Sequence, residues 1–324
     1  MKKYIGIDLG GTNLRAAVVD VETGSVLHQK RTPTLAREGP DAVMERMANL
    51  VQDVIEEADL EKPDVGGVGI GVPGVLDLDK GETIFLVNLP GTWPNVPLVD
   101  TIQRLTGLQT AMLNDVRAIT FGEWRFGAGR GVDTVVVFAV GTGIGGGLVV
   151  DGKLTLGIGG TAGELGHMTI DFNGPRCGCG NSGCLEAFAS GPAIAAMGMK
   201  AVAQGRTTSI GELCEYDLNK ITPALIAQAA ENGDEVAQEI YEQAGFYIGI
   251  AAGSMCAAVG PRRIIIGGGV SQAGDLLLDP IRRTLKERVK VMPIEKVEVV
   301  LSELGENAGV VGTACWAALK AGDL

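Results

Sequence analysis

Several things are missing from this sequence. No G-x-x-x-x-G-K-[ST] run occurs, which removes the P-loop class of nucleotide binders. Basic residues do not balance the acids: 27 Lys and Arg stand against 39 Asp and Glu, a net charge of −12. Such a chain repels nucleic acid and anionic membrane, so neither is an expected general partner. No apolar run reaches the roughly 20 residues of a membrane span. The longest, residues 244–259, is rich in Gly and Ala and reads as a buried helix. No signal peptide is visible, since residues 1–4 run straight into a strand that contains Asp8. The expectation is a cytoplasmic protein, where free or metal-bound thiolates outnumber disulfides.

What is present is a chain of 324 residues, 46% hydrophobic, long enough for two domains or one large one. Its 49 glycines cluster, and three clusters each follow a short β-branched run: Gly10-Gly11, the segment 141–147, and Gly267-Gly268-Gly269. The first two form an internal repeat of strand, Gly-rich turn and strand, over residues 5–20 and 136–152. A duplicated α/β domain with a cleft between the copies is expected. Apolar residues at 43, 44, 47, 50, 51, 54 and 55 predict an amphipathic helix over 41–58. Ser190 with Pro192, and Thr222 with Pro223, read as helix starts, while Gly107 and Gly260 read as stops. Residues 1–116 are expected to form a smaller N-terminal domain, completed by a last helix at 307–324, and residues 117–306 a larger C-terminal one.

The repeated turns suit phosphate. Asp8-Leu9-Gly10-Gly11-Thr12 puts a carboxylate at a strand end, followed by glycines that let backbone N–H groups approach an anion closely. Gly141-Thr142-Gly143 repeats the arrangement. Two such turns would grip a polyphosphate from both sides, with Asp8 holding Mg²⁺ through water. Either turn alone is equally a plain tight turn. Gly141-x-Gly143-x-x-Gly146 also fits the dinucleotide fingerprint, but that motif must open a helix, and here a second strand follows.

Three of the six cysteines fall at Cys177, Cys179 and Cys184, with His167 ten residues upstream of the first. Four soft or borderline ligands in a glycine-laced loop fit a closed, structural Cys₃His zinc site. Cys214, Cys256 and Cys315 lie in apolar stretches and read as small buried hydrophobes. Asn114-Asp115 sits at a strand-to-helix junction, where a helix cap and an exposed polar site can coincide, and Asp115 can accept a proton from an attacking hydroxyl. Glu164 lies three residues before His167, and Glu186 two after Cys184. Taken singly each reads as a surface acid, but drawn together by a metal knot the two suit the vicinal hydroxyls of a sugar. His28 receives no role.

These residues together resemble the ROK family of repressors and sugar kinases, within the actin-like ATPase (ribonuclease H-like) superfold. The resemblance runs nearly the whole length. Cys177–Glu186 matches C-x-C-G-x-x-G-C-x-E, and Glu164-Leu165-Gly166-His167 matches E-x-G-H. The glycine turns look like the two phosphate motifs, and Gly267-Gly268-Gly269-Val270-Ser271 like the adenosine-side loop, with Gly268 and Gly269 against the nucleotide. The resemblance implies an ATP- and Mg²⁺-dependent kinase acting on the 6-hydroxyl of a hexose, glucose above all, with structural Zn²⁺. It makes Asp115 the general base. It gives Asn114, Glu164, His167 and Glu186 to the sugar hydroxyls, with His167 also on zinc, and adds Asn88 and Gly74 as sugar-side residues. A homodimer or homotetramer is implied.

Fructose, allose, mannose or an N-acetylhexosamine could replace glucose, and polyphosphate could replace ATP. A sugar-sensing ROK regulator is a rival, but Asp8 lies too near the start to leave room for a DNA-binding domain ahead of it. An actin-like ATPase acting on a protein is another, though it has no use for the cysteine loop.

Overall fold

The computed structural model describes residues 2–86 and 89–324. The chain forms two compact units. The first holds Met1–Gly131, Lys153–Gly163 and Glu303–Leu324, and the second Val132–Gly152 and Glu164–Ser302. Asn88 lies outside the described residues.

In the first unit come β1 (Lys3–Leu9), β2 (Asn13–Asp20), β3 (Ser25–Pro33), α1 (Pro40–Glu57) and β4 (Val65–Val72). The hairpin β5 (Val75–Asp77) and β6 (Glu82–Phe85) follows, then α2 (Leu98–Thr106), β7 (Thr110–Asn114) and α3 (Asp115–Phe126). The sheet order is β3-β2-β1-β4-β7, with β1 antiparallel to β2 and parallel to β4, and β4 parallel to β7. Strand alternation gives the sheet two apolar faces. Ile5, Ile7 and Leu9 pack with Val43, Met47, Leu50 and Val54 of α1. Tyr4, Ala17 and Val19 pack on the other side with Phe121 of α3 and Val310, Ala314 and Trp316 of the last helix. Each fully buried Ile, Leu or Val contributes about 1.5–3 kcal/mol. Gly6 and Gly69 let that last helix lie directly on the sheet, because a Cβ on either would overlap the carbonyl of Val310 or Thr313. Any side chain at Gly69 would push the helix off.

In the second unit, β8 (Val135–Val140) and β9 (Ile144–Val150) form a hairpin. The two-residue β10 (Lys153–Leu154) that comes next in sequence belongs to the first unit. Then follow α4 (Glu186–Ala189), α5 (Gly191–Ala203), α6 (Ile210–Leu213), α7 (Pro223–Glu231), α8 (Glu235–Val259), β11 (Arg263–Gly267), α9 (Asp275–Arg288) and β12 (Glu298–Leu301). β8 is antiparallel to β9 and parallel to β11, which is parallel to β12. The pattern of the first sheet is thus repeated. The second strand, expected from Gly147, begins at Ile144, so Gly145 and Gly146 are residues of β9 and the Gly-rich fingerprint opens a strand and not a helix. α10 (Ala308–Ala321) closes the chain in the first unit. Its approach is tied by Glu123, fully buried, whose carboxylate accepts from the amides of Ala128, Glu303 and Leu304 at 3.0, 3.1 and 2.8 Å.

The local signals hold. Ser190 and Thr222 cap α5 and α7 through their hydroxyls, and Gly107 and Gly260 end α2 and α8 in the left-handed region. Cys214, Cys256 and Cys315 are buried. His28 sits on β3 with Nε2 2.8 Å from Glu57, an exposed pairing on the sheet edge.

Candidate active site

The first turn begins where β1 ends. The Gly10 amide donates to the carbonyl of Asn13 (2.9 Å), which closes the turn, and a Cβ on Gly10 would meet that same oxygen at 2.8 Å. Thr34, fully buried, fastens the turn to the end of β3: its amide donates to Thr12 O (2.8 Å) and its hydroxyl to Gly10 O (2.6 Å). Gly11 and Thr12 are exposed, and their amides make no bond among the described residues. Asp8 stands beside them, 3.5 Å from Arg15 Nη2, with its side chain 38% exposed. Burial pushes its carboxyl up, and Arg15 and Arg31 only partly offset this. An additional cation would relieve that strain on the charged form, which is the behaviour expected of a metal-ion carboxylate.

The second turn closes in the same manner, with the Gly141 amide donating to Gly143 O at 2.8 Å. Gly141 O accepts from the amide of Gly191, which anchors the turn on α5. A Cβ on Gly141 would meet nothing. Gly268, with φ of +86°, lies so close to Val140 that a Cβ would overlap its carbonyl, so the Gly268-Gly269 segment borders this turn.

The third group is a cluster. One ligand atom from each of His167, Cys177, Cys179 and Cys184 lies within 4.8 Å of every other. Cys179 Sγ and Cys184 Sγ are 3.7 Å apart, and Cys177 Sγ lies 3.7 Å from His167 Nδ1. Around a tetrahedral zinc with bonds of about 2.3 Å to sulfur and 2.0 Å to nitrogen, those edges would measure roughly 3.8 and 3.5 Å. The donor set and the spacing fit. Burial pushes the Cys177 thiol up to about 12 and raises Cys184, whereas backbone amides lower Cys179. The hairpin carrying the ligands is held by the Cys177 amide on Asn181 O (2.8 Å) and reverses at Gly180 and Gly183, both at positive φ.

Glu164 stands at the start of the 3₁₀ turn that ends at His167, whose amide donates to Glu164 O at 3.1 Å. Glu186 joins cluster and turn: Oε1 lies 3.7 Å from Cys177 Sγ, and Oε2 accepts from the Ile144 amide at 2.9 Å. Gly143 is needed there, since a Cβ would stand 2.5 Å from Glu186 Oε2. Gly166 packs on the Ile144 carbonyl from the other side with no room for a side chain. These contacts bind the cysteine loop to the second glycine turn, and they were not readable from motif spacing.

In the first unit, Asn114 ends β7 and caps α3, its Oδ1 accepting from the Val116 and Arg117 amides at 3.0 and 3.3 Å. Its Nδ2 donates to Gly74 O at 3.2 Å, which places the predicted sugar-side Gly74 against it. Asp115, the first residue of α3, is half-buried and accepts from the Val116 amide at 2.9 Å. The structure thus groups Asn114, Asp115 and Gly74 in one unit, and His167, the cysteines, Glu186 and the second turn in the other. Arg117 was missed: it is 1% exposed and donates to both Asn114 Oδ1 and Thr161 O.

Comparison with known proteins agrees along the full length. The ROK family profile matches residues 4–320. A glucokinase of Thermotoga maritima is 37% identical over 312 residues, covering 96% of each chain. A xylose repressor of Caldicellulosiruptor bescii is 31% identical over 95% of this chain and 76% of its own length. A ROK family glucokinase from Streptomyces griseus, solved with glucose and AMPPNP, superposes with a TM-score of 0.82 at 32% identity, covering 98% of this chain and 99% of that one. With its duplicated sheets, glycine turns and cysteine knot, the chain belongs to the ROK family and has the actin-like ATPase fold.

Proposed function

We propose that this ROK protein is an ATP-dependent glucokinase that transfers the γ-phosphoryl group of ATP to the 6-hydroxyl of glucose. Its relatives at 32–37% identity include glucokinases, and a solved glucokinase of like fold holds glucose and an ATP analogue. The observation that carries the reading is Glu186, a carboxylate that touches both the metal cluster and a phosphate turn. An ATPase acting on a protein has no need of that link.

Phosphoryl transfer asks the protein for positioning, charge neutralisation and a base, and little covalent help. The amides of Gly11, Thr12, Thr142 and Gly143 hold the phosphates, and Gly268-Gly269 lies on the nucleoside side. Asn114, Glu164, His167 and Glu186, with Asn88 and Gly74 nearby in the reading, orient the hexose. Asp115 takes the proton from the 6-hydroxyl as that oxygen bonds to the γ-phosphorus and the bond to the bridging oxygen of ADP breaks. A positioned base supplies about 10²–10⁴-fold, so orientation and electrostatics supply the rest. Asp8 would hold Mg²⁺, which would neutralise phosphate charge. His167, Cys177, Cys179 and Cys184 would hold Zn²⁺, which would fix the loop that carries Glu186. The protein is read as cytoplasmic and as a homodimer or homotetramer; among the described residues no helix is long and apolar enough to cross a membrane.

A coupled assay across hexoses, with Mg·ATP and polyphosphate as donors, tests this. Glucose with ATP should give the highest kcat/KM. Sugar binding without turnover of any hexose would favour the regulator instead.

A further inference from the structure

Arg117 is among the largest fully buried side chains of the molecule, yet its neighbours on the motif are those expected to touch sugar. Its Nη1 donates to Asn114 Oδ1 at 3.1 Å and its Nη2 to Thr161 O at 3.0 Å. A guanidinium has donors and no acceptor, so the amide atom that faces it must be the oxygen. That fixes which way the Asn114 amide points, a choice otherwise left open between two near-equal shapes. The oxygen is then taken up by three donors: the Val116 amide, the Arg117 amide and Arg117 Nη1. On the other end, one Nδ2 hydrogen goes to Gly74 O. A single N–H remains to offer a ligand.

We propose that Arg117 is a positioning residue for the kinase reaction, which locks Asn114 as a hydrogen-bond donor only, so that the hexose hydroxyl meeting it must accept. This rests on the reading of Asn114 as a sugar contact. The second tie, to Thr161, anchors the same guanidinium in the Lys153–Gly163 segment, so that Arg117 cannot turn away from Asn114 without breaking a part-buried bond. Sequence alone gives no hint of it, because an arginine in the first turn of a helix reads as a solvated charge.

The test is a double-mutant cycle on glucose binding, measured by calorimetry without nucleotide, with melting temperature and the KM for ATP alongside. Arg117→Met replaces the guanidinium with an apolar chain of similar length. It should weaken glucose binding by about tenfold while the KM for ATP stays within about twofold. Because Arg117 acts through Asn114, the pair Arg117→Met with Asn114→Ala should bind glucose within about twofold of Asn114→Ala alone. Asn114→Asp keeps the helix cap and gives Arg117 a carboxylate but sets an acceptor against Gly74 O, so it should melt within about 5 °C of wild type yet bind glucose as poorly as Asn114→Ala. Arg117→Lys keeps the buried charge, should bind glucose with intermediate affinity, and runs through the same cycle should the Met variant not fold. Additive losses, equal loss of ATP and glucose binding, or unchanged glucose binding in Arg117→Met would each overturn the lock. Hexose binding by the wild type with additive losses sinks this proposal alone; a wild type that binds no hexose sinks the kinase reading beneath it.

Discussion

The two copies of the hairpin differ less in backbone than in charge. In the first, Leu9 pairs with Leu14 across residues 10–13; in the second, Val140 pairs with Ile144 across residues 141–143. One residue more or less is the only change in the turn, and the amide of its first glycine closes it in both. Side chains are another matter. Asp8 lies opposite Arg15 and beside Gly71; the matching place in the second copy, beside Gly267, is Ala139, opposite Gly145. The second sheet therefore forms without a charge that the first one carries at a desolvation cost. A group that the matching strand does without, kept where burial disfavours its charge, fits the proposal that Asp8 holds a cation. The second copy has instead been tied down by Glu186 and the cysteine knot.

The comparison breaks most sharply at the strand-to-helix junctions. β7 ends at Asn114, which pairs with Val72, and β12 ends at Leu301, which pairs with Ile266; with Gly267 in the place of Gly71, Ser302 and Glu303 follow in the places of Leu113 and Asn114. Asp115→Asn should lower kcat by at least about 10²-fold while glucose affinity stays within about tenfold. Glu303→Gln, at the exposed acid just beyond β12, should leave kcat within about twofold. Steady-state kinetics of both variants decides it. An Asp115→Asn enzyme with more than a tenth of wild-type kcat removes the base from the first copy.

Removal of the metal should separate the copies in a different way. Stripping zinc with a chelator should lower the melting temperature by about 10 °C. Amide hydrogen exchange should quicken at Ile144 and its neighbours, where Glu186 and Gly166 hold the backbone, and stay unchanged around Gly10, which Thr34 holds. The pH dependence has a definite sign. With Cys177 pushed up to about 12 and Cys184 also raised, both are thiols at neutral pH, and both must lose a proton to bind zinc. Zinc affinity should therefore fall by at least about 100-fold for each unit of acidification, with at least two protons released per ion at pH 7. Calorimetry in buffers of different ionisation enthalpy counts them. Release of fewer than two, or equal loosening of both turns, would contradict this account.

What could be read in advance was whatever is encoded locally. Ser190 and Thr222 cap their helices through the next turn, Gly107 and Gly260 end theirs by φ, and the cysteine spacing brings its own ligands together. The repeat of strand and glycine turn likewise announces the duplicated α/β fold. What escaped depends on partners far along the chain. Thr34 reaches back to Gly10, Glu123 forward to Leu304, and Arg117 to Thr161. A polar residue destined for burial carries no mark of it until packing removes the water. Gly145 and Gly146 of β9 were misplaced for a related reason: a strand interior disfavours glycine on propensity, and here the sheet tolerates three in succession.

The smallest effect gives the finest test of what the two turns share. Gly10 serves the fold, since a Cβ there would press on Asn13 O at 2.8 Å; at Gly141 a Cβ meets nothing and φ is not in the left-handed region. Among the described residues, no atom requires glycine at 141. If glycine is there so that a phosphate can come close to the backbone, Gly141→Ala should melt within about 2 °C of wild type, because helix- and loop-neutral substitutions without strain cost little. Its KM for ATP should nevertheless rise by about tenfold, as an added methyl group stands between the phosphate and the amides, with the KM for glucose little changed. Gly10→Ala should do the reverse in part, lowering the melting temperature before any change in nucleotide affinity is separable. An unchanged KM for ATP in Gly141→Ala would leave the second turn as a plain hairpin connection and confine nucleotide binding to the first copy.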